Sequence, residues 1–128
     1  MTSERGQATL EAALAMPVVL LALLLIVQVG IVVRDALALD QAAREGVRTM
    51  AITASPDEAR SAVARAAGPL DAGRITTDVS NATKRGDVAD VDLSYVEELG
   101  IPIVSKIVAL HLPLKAQATM RLERDTPP

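Results

Sequence analysis

The feature that most constrains this chain is an apolar run at residues 12–33, close to the N-terminus. It holds one clearly polar side chain, Gln28, and follows a single carboxylate, Glu11. At a helical rise of about 1.5 Å per residue the run extends about 33 Å, enough to cross a hydrocarbon core of about 30 Å. A helix that is apolar on every side is difficult to bury in a small soluble domain. The run is therefore predicted to span a membrane once.

The run does not have the form of a secretory signal peptide. Such signals carry an apolar stretch of about 7–15 residues followed by a small-x-small cleavage pattern, and this run is longer and lacks that pattern. We expect the span to remain in the mature protein. Pro17 lies inside it, removes one helical hydrogen bond and clashes with the carbonyl group four residues earlier, which predicts a kink at residues 13–17.

The helix is expected to continue beyond the membrane through residues 34–53, because this stretch has no proline and one glycine, Gly46. Apolar or small residues recur there at alternating spacings of three and four: Val32, Ala36, Leu39, Ala43, Gly46 and Met50. Ala38, Ala42 and Gly46 also form a row of small residues that permits close backbone approach. We expect this face to pack on the chain's own head; packing on another helix is the alternative.

Residues 54–124 are predicted to form that head. Ser55, Pro56 and Glu58 make a strong helix start, with a capping residue, a proline at the first position and a capping-box glutamate. After Gly68 and Pro69 the apolar period changes from helical to two, which predicts a hairpin with its turn at 84–87 and a last strand over 112–122. The motif EELG at 97–100 is expected to end the second strand, and a short helix is expected at 101–110. Residues 125–128 are predicted to be a frayed tail.

The predicted fold class is therefore α+β. A long N-terminal transmembrane helix extends into a stalk, and a short helix packs on a small three-stranded antiparallel sheet.

The composition of this chain argues against catalysis and against the binding of nucleic acid, metal ions or cofactors. There is no cysteine, the net charge is −3 with mixed signs, and Tyr95 is the single aromatic residue. No basic stripe with interleaved aromatics suits nucleic acid, and no motif supplies a nucleophile with a base, a metal-ligand cluster or a phosphate-binding loop. We predict no catalytic residue, no cofactor, no metal site and no small-molecule substrate, and hence no enzyme.

Two weaker signals do not change that prediction. His111, the single histidine, adjoins an apolar strand and is interpreted as structural. Asp87, Asp90 and Asp92 resemble the spacing of a cation site, but Asp90 and Asp92 alternate on the polar face of a strand, where carboxylates are simply solvated.

Glu11 stands apart because a carboxylate near the start of a membrane helix costs free energy, about 2.5–3.5 kcal/mol at the bilayer centre and less toward the interface. A cut between Gly6 and Gln7 would create an α-ammonium group one helical turn before Glu11. The two charges could then neutralise each other within one subunit or between staggered neighbours. The alternative is that Glu11 lies in the headgroup region and has no role.

This arrangement carries a family resemblance. Residues 6–17 (GQATLEAALAMP) resemble the start of the TadE-like pseudopilins of tight-adherence (Flp) pilus systems. Residues 41–48 (QAAREGVR) resemble the family's membrane-exit helix, and residues 116–123 (AQATMRLE) resemble its final strand. The family usually has an aromatic residue directly after the glutamate, and this chain has Ala12 there.

The resemblance implies a pilin-like fold and a definite processing scheme. Residues 1–6 would be a leader peptide, Gly6 the residue after which a prepilin peptidase cuts, and Gln7 the new N-terminus of a transmembrane helix at 7–33. Glu11 would be the assembly carboxylate. The N-terminus would face the cytoplasm and the head would lie outside it. The partners implied are the membrane, the prepilin peptidase, other pilins or pseudopilins and the pilus assembly machinery.

The function expected is that of a minor pseudopilin in pilus assembly, since the head is large relative to a short fibre-forming pilin. The alternative is an uncleaved single-span anchor whose head binds a protein partner.

Overall fold

The computed structural model describes residues 3–80, 82, 84–99 and 110–123. Its elements are α1 (Ser3–Thr53), α2 (Pro56–Ala66), a short 3-10 helix (Ala72–Arg74), β1 (Ile75–Val79), β2 (Val88–Leu99) and β3 (Leu110–Arg121). The strands form one antiparallel sheet in the order β1-β2-β3. This arrangement confirms the predicted α+β class. The chain divides into two compact units, Met1–Val32 and Val33–Pro128, and α1 contributes to both.

The part of α1 in the first unit exposes apolar side chains around its circumference. Leu14, Leu20 and Ile26 are each at least 60% exposed, and they point in different directions from the helix axis. Such a surface is unfavourable in water, because apolar area left in contact with water forgoes roughly 25 cal/mol per Å² of burial free energy. None of residues 6–32 is buried, so this part of α1 has no face packed against the rest of the chain.

In the second unit, α1 has one buried face. Leu39, Ala43 and Met50 are fully buried, and Gly46 lies between them on the same face. They join a core with residues of α2 and all three strands. The prediction that the 34–53 stretch packs on the chain's own head is confirmed. The buried face is wider than the predicted row with three-and-four spacing, because Ala42, Val47 and Ala51 are buried as well.

Gly46 is the point of closest approach in this core. A Cβ atom at Gly46 would lie 2.5 Å from Cγ2 of Val63 on α2 and 3.4 Å from Cγ1 of Val91 on β2. Real Cβ atoms essentially never come within 3.0 Å of another heavy atom. Val63 is buried, and a β-branched side chain in a helix has one strongly preferred rotamer, so it has little room to move. The small-residue row therefore permits close approach to the chain's own α2 and sheet.

Two features form the junction of α1 and α2. The sequence predicts the cap of α2 but not the left-handed residue that ends α1. The Oγ atom of Ser55 accepts a hydrogen bond from the Glu58 N–H at 3.4 Å, with Pro56 at the first helical position. The Ser55 N–H donates to the Thr53 hydroxyl at 3.3 Å. Before it, Ala54 has φ +50, and its N–H donates to the Met50 carbonyl at 2.8 Å. This left-handed residue ends α1 at a position where glycine is more usual.

The sheet follows the period-two pattern. Along β2 the side chains of Ala89, Val91, Leu93 and Tyr95 are buried. The second strand ends within the predicted EELG segment: β2 continues to Leu99, which pairs with Leu110. Strand β3 supplies backbone partners along this whole length. The short helix predicted at 101–110 lies outside the described residues, apart from Leu110, which begins β3.

The opposite end of the sheet is closed by backbone hydrogen bonds. In the β1–β2 connection, Gly86 has φ +93 and its N–H donates to the Leu122 carbonyl at 3.0 Å. The Leu122 N–H donates to the Asp87 carbonyl at 2.8 Å, and the Glu123 N–H donates to the Ala51 carbonyl at 2.9 Å. The end of β3 is thereby attached both to this connection and to the end of α1.

We expect Gly46→Ala to lower the free energy of unfolding of the head by up to about 2 kcal/mol. Overpacking costs about 1–3 kcal/mol, and the better helix propensity of alanine returns about 1 kcal/mol. Denaturant unfolding of the full chain in detergent, followed by fluorescence of the single tyrosine, measures the change.

Gly30→Ala is the matched control, because a Cβ atom at Gly30 meets nothing within 4 Å. Its unfolding midpoint should equal or exceed the wild-type midpoint, because alanine adds helix propensity there without a packing cost. Equal midpoints for Gly46→Ala and wild type would contradict the tight packing.

Candidate functional site

The residues predicted to matter for processing and assembly all lie on α1 in the first unit. Gly6, Gln7, Glu11 and Pro17 are helical and exposed. Gln7 and Glu11 are four residues apart, so they lie on the same face of the helix, about 6 Å apart along its axis. The structure therefore brings the predicted new N-terminus and the predicted assembly carboxylate to one side of α1.

The peptide bond between Gly6 and Gln7 lies within the helix, which begins at Ser3. A Cβ atom at Gly6 would meet nothing within 4 Å, so no packing contact requires glycine at this position. Glycine in a helix costs about 1 kcal/mol relative to alanine. Gly6 consequently weakens the first turns of α1, and a peptidase could reach the bond only after these turns open.

Glu11 lies beside exposed apolar side chains, including Leu10 and Leu14. In a low-dielectric setting an ionised carboxylate needs a cation or several hydrogen-bond donors at the same depth. The α-ammonium group of a chain beginning at Gln7 would be such a cation. This pairing, and the kink predicted at Pro17, stay predictions; Pro17 lies inside α1, which continues on both sides of it.

Within the described residues, one helix is long and apolar enough to cross a membrane. The segment is Gly6–Thr53, with a mean hydropathy of 2.9 over its most apolar stretch, none of which is buried. A core helix of a soluble protein would be mostly buried, and this one is not. The helix suggests a single-pass membrane protein.

The described residues form no metal site. They include no group of three or more His, Asp and Glu residues placed to hold an ion. The Oδ2 atom of Asp87 accepts a hydrogen bond from the Lys84 N–H at 3.0 Å and so stabilises the turn. Asp92 lies on the outer face of β2, and His111 is exposed on β3.

An open groove of about 550 Å³ runs between α1 and β3. Its lining includes the polar residues Gln41, Arg44, Arg48 and Gln117 beside apolar ones such as Val47 and Met120. Arg44 pairs with Asp40 at 2.9 Å, and Arg48 lies 3.9 Å from Glu45, so both cations are already engaged along the helix. The groove holds no nucleophile beside a base.

The second unit also contains a charged cluster that the sequence reasoning missed. Asp35 is 3% exposed. Its Oδ1 atom accepts a hydrogen bond from Nε of Arg34 at 2.8 Å and lies 2.8 Å from an Nη of the same guanidinium group. A buried carboxylate is costly unless it is paired. The only signal in the sequence is the adjacent Arg-Asp pair directly after the apolar run, and this pattern also fits an exposed helix surface.

Tyr95 interacts electrostatically with Asp35 and lies beside Arg74. The guanidinium carbon of Arg74 lies 5.5 Å from the centre of the Tyr95 ring, and an Nη of Arg74 donates to the Val96 carbonyl at 2.9 Å. Burial raises the pKa of the Tyr95 hydroxyl above its ordinary value, as do the negative charges of Glu97 and Asp35, whereas Arg74 opposes the rise.

Comparison with known proteins identifies one segment. Residues 6–48 match the model of the family described as TadE-like protein. The resemblance seen in the sequence is thus confirmed over this segment, which contains Gly6, Glu11, Pro17 and the QAAREGVR motif. The family is a structural one associated with the membrane pilus assembly machinery. No curated protein and no solved structure matches the chain.

We expect the Tyr95 hydroxyl to titrate above about pH 10, the ordinary midpoint of the unfolded chain. Since the folded-state pKa is the higher one, its contribution to stability is complete below pH 10 and is lost as the pH rises through the folded-state pKa. Ultraviolet absorbance of tyrosinate measures this midpoint without interference, because no other tyrosine or tryptophan is present.

Two variants should shift this midpoint in opposite directions. Asp35→Asn removes a charge that raises the pKa and should lower the midpoint; Arg74→Gln removes the opposing cation and should raise it. Midpoints that equal the urea-unfolded value in all three proteins would contradict the cluster.

Proposed function

We propose that this chain, which carries the TadE-like segment at residues 6–48, is a minor pseudopilin-like membrane protein that takes part in assembly of a tight-adherence (Flp-type) pilus. The observation that carries the proposal is the placement of Gly6, Gln7 and Glu11. They occupy the start of a helix that is exposed and apolar on all sides and lies within the matched segment.

The physical basis of this proposal is a membrane anchor that also positions the charge of Glu11. The exposed apolar surface of residues 12–33 favours lipid, which holds each copy in the membrane until it is transferred to an assembly. Glu11 lies at the edge of that surface. Removal of residues 1–6 would leave the ammonium group of Gln7 one turn away on the same face, available to Glu11 of the same or a neighbouring subunit.

The topology that we propose has the N-terminus in the cytoplasm and the head outside. The family resemblance supports this orientation. The charges flanking the helix do not, since Arg5 stands on one side and Arg34, Arg44 and Arg48 stand on the other. The partners proposed are a prepilin peptidase, other pilins or pseudopilins and the assembly machinery.

A second function is favoured by a specific observation. The Gly6–Gln7 bond lies inside α1, and the residue after Glu11 is Ala12 and not the aromatic residue usual in the family. Both features suit a single-span anchor that is never cut. The head, with its own core, would then bind a protein partner directly.

Cleavage separates the two functions. Co-expressed with the prepilin peptidase of a tight-adherence system, the membrane-extracted chain should be lighter by the mass of residues 1–6 and should begin at Gln7. Gly6→Val should retain the full mass, because the side chain would occupy the cut site. Ser3→Val, in the same leader but away from the bond, should be cut normally.

A chain that keeps residues 1–6 when the active peptidase cuts another prepilin in the same cells would exclude processing and leave the anchor function. Cutting by cells with an inactivated peptidase would show that a different protease acts.

Assembly tests the role of Glu11. We expect Glu11→Gln to reduce pilus number at least tenfold, because the amide has the shape of the carboxylate but lacks the charge that pairs with the ammonium group. Glu11→Asp keeps the charge and should retain more pili than Glu11→Gln. Pili counted by electron microscopy, with the membrane level of each variant measured alongside, provide the readout; normal pilus numbers for Glu11→Gln would refute charge pairing.

A further inference from the structure

The outer edge of β3 has no partner strand among the described residues, since the sheet order is β1-β2-β3. On β2, the backbone of Asp90 bonds toward β1. Its carbonyl accepts from the Ser80 N–H at 2.9 Å, and its N–H donates to the Ser80 hydroxyl at 2.8 Å. Because bonded positions alternate along an antiparallel pair, the neighbours of Asp90 on β2 bond toward β3, where their partners are Ala118 and Met120.

The residues of β3 between and beside these positions turn their backbone groups away from β2 and toward the free edge: Lys115, Gln117, Thr119 and Arg121. Pro113 precedes them in the same alternation and has no N–H to offer. The stretch 115–121 extends about 20 Å at 3.3 Å per residue. Within the described part of the chain, its edge presents a row of unpaired donors and acceptors to which an extended segment can bond.

The groove between α1 and β3 lies along this edge. Side chains of successive strand residues point to opposite faces of a sheet. The groove is nevertheless lined by Gln117 and Thr119, which point to one face, and by Ala118 and Met120, which point to the other. A space that meets both faces of a strand runs beside its edge. A segment added to this edge would therefore place the side chains of one of its faces in the groove, where Met120 is 42% exposed.

The charges of β3 all have one sign. Residues 110–121 include Lys115 and Arg121 and no acidic residue. Neither cation makes an ion pair with any described residue. Their register partners on β2 are Ser94 and Val88, so no carboxylate lies directly opposite either of them. The edge thus carries two uncompensated positive charges on the outer face of the sheet.

These cations make the edge selective. Cations on an edge strand ordinarily discourage pairing with a second copy. The two-fold register that pairs all four free positions with one another places Lys115 opposite Arg121 of the second copy, and like charges directly opposite are destabilising. The same cations attract a strand that carries carboxylates at the matching positions. The edge therefore disfavours its own copy and favours an acidic partner.

We infer that the edge of β3 at residues 115–121 is a docking site for an extended acidic segment of another protein, which adds to the sheet as a fourth strand. The backbone of this segment bonds to the four free positions of β3. Its carboxylates, six residues apart, lie beside Lys115 and Arg121, and apolar side chains on its other face enter the groove beside Met120. The site depends on neither cleavage after Gly6 nor entry into a pilus.

A synthetic peptide of sequence TEVTVTVET tests the site. Its two glutamates lie six residues apart on one face, and it reads the same in both strand directions. The fluorescein-labelled peptide is titrated with the full chain in dodecyl maltoside micelles, and fluorescence anisotropy measures binding. The control peptide TKVTVTVKT carries lysines in place of the glutamates. We expect the glutamate peptide to bind about tenfold more tightly at low salt, with a smaller difference at high salt because the charges are then screened.

Variants of β3 locate the binding. Thr119→Pro removes an edge donor without removing a bond to β2 and should weaken binding of the glutamate peptide about tenfold, whereas Thr119→Val keeps the donor and should bind like wild type. The double variant Lys115→Glu, Arg121→Glu should reverse the preference between the two peptides. Three results would each overturn the proposal: no binding of the glutamate peptide at about 1 mM, equal affinities of the wild type for both peptides, or an unchanged preference in the double variant.

Discussion

The close approach of α1 to α2 and β2 at Gly46 is the contact on which the head depends. One face of α1 must lie near enough to α2 and the sheet for Val63 and Val91 to fill the space that a side chain at Gly46 would occupy. The core has no phenylalanine or tryptophan, and its largest fully buried side chains are Leu39, Met50, Val63 and Val91. Small side chains bury little area each, so the elements must pack closely to stabilise so small a head.

The same helix therefore meets two different requirements. Before Val33 its side chains are exposed and apolar on all sides, and after Asp35 it presents one buried face and one charged face. The pair of Arg34 and Asp35 stands at the change. Their ion pair compensates a carboxylate that is 3% exposed. Leaving the buried Asp35 carboxylate without this partner would be strongly destabilising.

The features that the sequence predicts well are those determined by neighbouring residues. Ser55, Pro56 and Glu58 specify the start of α2 locally, and the period of two specifies the strands. The left-handed conformation of Ala54, a fully buried residue, depends on the core around it. The burial of Asp35 is likewise set by residues distant in the chain. These features follow from tertiary contacts, which local patterns do not encode.

The candidate site shows the same difference between local patterns and features that depend on other events. It also places two opposing requirements on the first turn of α1. Gly6, Gln7 and Glu11 are recognisable because their spacing is local, but the charge that would pair with Glu11 arises only when the chain is cut. The helix that aligns Gln7 with Glu11 also encloses the bond to be cut. Processing therefore favours an opened first turn and charge pairing favours a closed one. Gly6, whose side-chain position contacts nothing, would suit the proposed processing: it would weaken the turn before a cut and would leave the chain with residues 1–5.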